Sequence, residues 1–134
     1  MASFSDYLEN AVLDHIFGDG TLTITAPVYL ALCTAAVDDT DTGSTITEAN
    51  YTGYARKSIA ASDMDAAASG AKTNGAAITF AACTAGTSTI TYWAICDAST
   101  AGNVLCWGTC TSTVISTTQT PATVAIGGLD VTLD

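Results

Sequence analysis

Five cysteines, one histidine and a short run of aspartates are the side chains through which this 134-residue chain could do chemistry. Zinc needs cysteine and histidine ligands at short, regular spacings. Cys106 and Cys110 stand four apart, on one face if that stretch is a strand, but Cys33, Cys83 and Cys96 are scattered and no Cys-x-x-Cys occurs. The only histidine, His15, lies far away in a helical segment. No metal or other cofactor is therefore expected, and the cysteines read as reduced, buried small hydrophobes of a protein made in a cytoplasm. A nucleophile needs a poised base beside it, and His15 has no recognisable motif around it. It is expected to pack or hydrogen-bond at the edge of its helix. Asp38, Asp39 and Asp41 resemble the oxygen-rich start of a calcium loop, yet the full pattern with its terminal glutamate is missing. The expectation there is a solvated or partner-facing loop. The acids cluster in loops and at chain ends rather than as a pair for glycoside hydrolysis. The glycines stand in turns, without a phosphate-binding arrangement. Trp93, Trp107 and Tyr51 could stack on a sugar, but both tryptophans lie within apolar runs, so core packing is the stronger reading. An enzyme is not expected.

The elements that would carry these residues are mostly strands. Thr89 to Cys110 holds two apolar, β-prone arms around Asp-Ala-Ser-Thr-Ala-Gly-Asn, which predicts a hairpin with a medium loop. Alternation places Ile90, Tyr92, Ala94 and Cys96 on one face and Thr91, Trp93 and Ile95 on the other. Neither face is polar, so this is a central strand covered on both sides, and Tyr92, Trp93 and Trp107 are expected in the core or an oligomer contact. Residues 3–17 form the one helix, with Ser3 as cap, Asp6 in a capping-box-like place and Gly18 as stop. Phe4, Leu8, Val12 and Ile16 recur on its apolar stripe, opposite Asp6, Glu9 and Asp14. Further strands are predicted at 22–25, 28–34, 54–61, 76–82, 88–96, 104–110, 111–116, 122–126 and 129–133, the last with Leu129, Val131 and Leu133 inward. Residues 38–53 read as a surface loop and 63–74 as a connector. Arg56 is expected to pair with Glu48 as a surface ion pair worth about 0–1 kcal/mol. The pattern predicts a mainly β protein, a β-sandwich or jelly-roll-like single domain over 1–134, with one short N-terminal amphipathic helix in 1–20.

Composition narrows the partners. Thirteen acids face three basic residues, for a formal net charge of −10. Direct binding to nucleic acid is disfavoured, because no cationic surface can displace counterions. An anionic membrane is disfavoured for the same reason. No apolar span reaches the length of a transmembrane helix, and Asp6 and Glu9 stand where a signal peptide would be basic. Charged residues are only 12% of the chain, and small neutral side chains suit close contact with other subunits.

Several landmarks, taken in order, resemble a widespread family of small tailed-bacteriophage virion proteins, which includes so-called tail fibre proteins and capsid decoration (cement) proteins. They are Ser5-Asp6-Tyr7-Leu8-Glu9-Asn10, His15-Ile16-Phe17-Gly18, Val28-Tyr29-Leu30-Ala31-Leu32, Tyr54-Ala55-Arg56 and Asn74 to Phe80. Tyr92 to Ala98, Gly102 to Leu105 and Gly128 to Leu133 complete the series. Cys33 and Cys96 depart from it, standing where larger hydrophobes are expected. The resemblance implies a structural virion protein. A fibre usually needs an elongated body, which this chain lacks, so the expected place is the outer capsid surface. There a homo-oligomer, expected to be a trimer, would bind the major capsid protein and clamp the shell, many modest contacts summing to a large gain. The alternative is a tail-fibre or host-adhesion module that binds a surface glycan. Candidate partner contacts are Phe4, Tyr7 and Leu8 of the helix region and Asp38, Asp39, Asp41 and Glu48 of the acidic loop.

Overall fold

The computed structural model describes residues 2–119 and 121–133. Its centre is a five-stranded antiparallel sheet of β1 (Ala2–Phe4), β2 (Val28–Cys33), β3 (Lys57–Ile59), β6 (Thr87–Cys96) and β7 (Val104–Ser116). The spatial order is β1-β7-β6-β2-β3. Two small ladders complete the β structure. β4 (Ala71–Thr73) pairs with β9 (Asp130–Thr132), and β5 (Ile78–Thr79) pairs with β8 (Thr123–Val124). The protein is mainly β with one helix, as the alternation predicts, built from one five-stranded and two two-stranded antiparallel sheets.

The predicted hairpin is β6 and β7, and it forms the middle of the sheet with β2 beside it. Because both faces of these strands are apolar, both must be covered. On one face Leu30, Leu32, Ile95 and Cys106 join Ile78, Phe80 and Leu129 from outside the sheet in the larger core. On the other, Ala31, Cys33, Ala94, Cys96 and Val104 pack with Val37 and Ile46. One face assignment changes. Ile90 belongs to the larger core, with Ile95, and not with Tyr92, Ala94 and Cys96. The ladder steps from Ile90↔Thr113 to Tyr92↔Thr109, so three residues of β7 face Thr91 alone and strict alternation fails across that irregularity.

Other boundaries move for identifiable reasons. Residues 104–116 are one continuous strand, not two. The strand expected at 22–25 is absent, and of 54–61 only Lys57–Ile59 pairs with β2. The connector at 63–74 contains β4 and the end of a 3₁₀ turn at Ala61–Asp63. Leu129 is buried as predicted, whereas Leu133 is exposed. The excursion at 38–53 is no bare surface loop: Ile46, Ala49 and Tyr51 are buried, and its backbone bonds to the body at Thr34–Thr47, Ala49–Leu32 and Thr52–Ala85.

The helix, α1, runs from Asp6 to Phe17 and not from residue 3. Ser3 and Phe4 are drawn into β1, whose Phe4 sits opposite Cys106, and the cap passes to Ser5. The Ser5 hydroxyl accepts from the Leu8 N–H at 3.3 Å and donates to the Val104 carbonyl. One buried side chain thus satisfies a helix donor and ties the helix start to the hairpin. Gly18, at φ 90, ends the helix in the left-handed conformation that glycine adopts without strain.

Candidate functional site

Twelve residues make α1 about 18 Å long, and only its first half is docked. Phe4 and Leu8 are half-buried against the larger core. Beyond them the helix runs off the body with apolar residues on more than one face. Leu13 is 52% exposed, Ile16 64% and Phe17 77%. Around this apolar tip stand Asp14 and Asp19, and the Asp14 carbonyl accepts from the N–H groups of Gly18, Asp19 and Gly20 at 2.9–3.1 Å. Both acids are exposed near the negative end of the helix dipole, a position unfavourable for them in isolation. His15 is exposed there, its Nδ1 accepting from the Leu22 N–H at 3.4 Å.

The acidic loop lies beside the start of the same helix. The Asp39 carbonyl accepts from the Asp6 N–H at 2.9 Å, and its carboxylate accepts from the Trp107 indole at 3.3 Å. Asp38 accepts from the Thr40 N–H at 2.9 Å and the Thr40 hydroxyl at 2.7 Å, and the hydroxyl bond holds its carboxyl below the ordinary aspartate pKa. Asp41 accepts from the Asp38 N–H at 3.0 Å and the Thr45 hydroxyl at 2.7 Å. These acids shape their own turn and keep it negative. Tyr7 is exposed on the docked half of the helix. Trp107 is half-buried over the smaller core beside Tyr92, ring centroids 6.3 Å apart. Trp93 is half-buried on the opposite face, against the larger core.

Glu48 sits apart from that loop's acids and serves another purpose. Its carboxylate accepts from the Tyr54 hydroxyl at 2.6 Å and from Arg56 Nη2 at 2.7 Å and Nε at 3.1 Å. The remaining Arg56 donors go to the carbonyls of Gly43 (2.6 Å), Ala98 (2.9 Å) and Ala101 (2.8 Å). The Arg56 side chain is only 3% exposed. The pair is the predicted one, but it is a buried latch joining two loops and not a surface pair.

All five thiols are free; Cys33, Cys83, Cys96 and Cys106 are buried as expected, whereas Cys110 is exposed on β7. Burial pushes Cys33 and Cys106 up to about 12 and Cys96 up to about 11, so these thiols are held protonated. Among the described residues no group of three or more His, Cys, Asp or Glu side chains is placed to share a metal ion, and no helix is long and apolar enough to cross a membrane.

The residues sequence reasoning missed as candidate contacts are Leu13, Ile16 and Phe17. Ile16 ends the Phe4–Leu8–Val12 stripe and was legible there, whereas Leu13 and Phe17 follow Glu9 by four and eight residues, on the face read as polar, which hid them. The arrangement is a β body whose buried side-chain polar atoms, among the described residues, all have partners, with a helix whose last turns project from it. A family model described as Podophage GP4 fiber I protein gp80 matches residues 3–132. No curated protein matches the chain.

Proposed function

Because the chain belongs to the Podophage GP4 fiber I protein gp80 family, it is a structural protein of the tailed-phage virion, and we propose that it is a non-enzymatic joint of the fibre apparatus. Its longest elements are a 12-residue helix and a 13-residue strand, so it is no shaft; it connects parts. The observation that carries this reading is the projecting helix tip. Leu13, Ile16 and Phe17 are costly to leave in water, at roughly 25 cal/mol per Å² of apolar surface, and a neighbouring virion protein with an apolar socket and a basic rim would cover them. Asp14, Asp19 and the helix dipole supply the matching charge, with Asp38 and Asp39 extending the same negative surface towards the helix start.

The test is incorporation. Phage carrying Ile16→Ser and Phe17→Ser should yield particles in which this protein is depleted at least tenfold, while the purified variant keeps the melting temperature of the parent. Normal incorporation of the folded variant would exclude the tip as the anchor. Capsid decoration is the second reading, favoured by the same absence of an elongated body. It predicts instead that purified protein binds empty shells of the cognate major capsid protein.

A further inference from the structure

The charges of this protein are confined to part of the chain. Between Asp97 and Asp130 not one residue is Asp, Glu, Lys, Arg or His, although the whole carries a net charge of −10. That neutral stretch includes all of β7, and β7 is left half-covered. β1 pairs with it only as far as Gly108. Beyond the irregularity, Thr113 to Ser116 pair with β6 on one side. Among the described residues no ladder or isolated bridge occupies the other side. The far edge of the sheet is different: β3 has three residues and carries Lys57, an ordinary guard against strand addition. The β7 edge carries neither charge nor proline from Thr109 to Ser116. It is rich in β-branched residues, with Val114 46% exposed, and opens onto a furrow of about 410 Å³ between Thr113–Ile115 and Pro121–Thr123.

We infer that this edge pairs with the same edge of a second copy, antiparallel about a two-fold axis, extending one sheet through both molecules. Charge decides the occupant. Two copies repel wherever their acidic surfaces approach within a Debye length, about 8 Å at physiological salt, and the neutral edge is where they can meet without that cost. A different partner selected by electrostatic complementarity would find nothing here to complement. An antiparallel strand edge, by contrast, is its own complement, each N–H and C=O row matching the other after a two-fold rotation. The pairing uses a surface distinct from the helix tip and stands whether or not the tip anchors the protein in the particle.

Sedimentation of the purified full chain decides it. The parent should sediment as a species of twice the 13.5 kDa chain mass, and the alternate amides of Thr113 to Ser116 that point away from β6 should gain hydrogen-exchange protection as concentration rises. Val114→Lys places two cations near the axis and should weaken association at least tenfold, with circular dichroism and melting of the monomer preserved. Val114→Thr, neutral and β-branched, should still dimerise, and so should Phe17→Ser. A parent that stays monomeric at every concentration overturns the inference. So does a dimer indifferent to Val114→Lys, or one lost on Phe17→Ser.

Discussion

Arg56 is the residue on which two separate loops converge, and its chemistry explains why it is arginine. The planar guanidinium sends its donors to Glu48 and to the carbonyls of Gly43, Ala98 and Ala101 at once; a lysine ammonium has neither the fork nor the reach in so many directions. A Cβ on Gly43 would lie 1.9 Å from the Ala101 carbonyl oxygen, so glycine there is what lets the loops close around the guanidinium. Arg56→Ala leaves a largely enclosed carboxylate and three carbonyls without their donor. It should lower the unfolding free energy by about 3 kcal/mol in urea titration, within the range for breaking a buried pair. Arg56→Lys should recover only part of this. A loss under about 1 kcal/mol for the alanine variant would return the pair to the surface class. The partner itself was legible in the sequence, because Glu48 is the one acid close to Arg56 on the loop that must fold back. Its burial was not, since the carbonyls from Ala98 and Ala101 arrive from more than forty positions away.

At the scale of elements, the β6–β7 hairpin and β2 could be read directly, because long uncharged β-branched runs flanking a turn cluster admit few alternatives. The helix was legible in existence and in its glycine stop, but its start was not. Ser3 and Ser5 both qualify as caps, and the choice falls to Ser5 only because β1 finds an open edge on β7. The two short ladders were the least legible, two and three residues long and joining segments distant in sequence. A single buried side chain organises one of them: Asn74 donates to the Ala76 and Ala125 carbonyls and accepts from the Leu129 N–H, each at 2.8 Å. Within the hairpin, Trp93 lies opposite Gly108 and its ring covers the space a side chain would fill. A Cβ on Gly108 would stand 2.7 Å from Cζ2 of that indole. Gly108→Ala should therefore cost about 1–3 kcal/mol by overpacking and shift the tryptophan emission as Trp93 is displaced. Unchanged melting and emission would mean that the indole does not rest on the glycine.

Across the whole molecule, charge and exposure divide the surface into regions with different uses. The acidic loop is tied to the start of the helix and to the first half of β7 through Asp39, Asp6 and Trp107, and the helix tip projects at the other end of α1. The neutral β7 edge is a separate region. Under the proposals above, the helix tip would meet a neighbouring virion protein and the β7 edge a second copy, by separate surfaces. The potentially reactive residues are spread over these regions: Cys33, Cys83, Cys96 and Cys106 are buried, Cys110 is exposed, and His15 accepts from the Leu22 N–H at the helix end. The most direct measurement of the central claim is localisation on purified particles by immunogold labelling or cryo-electron microscopy. A joint of the fibre apparatus predicts label at the fibres and their attachment points. Particles that lack the protein altogether would contradict a virion role, and label spread over the capsid shell would contradict the fibre placement.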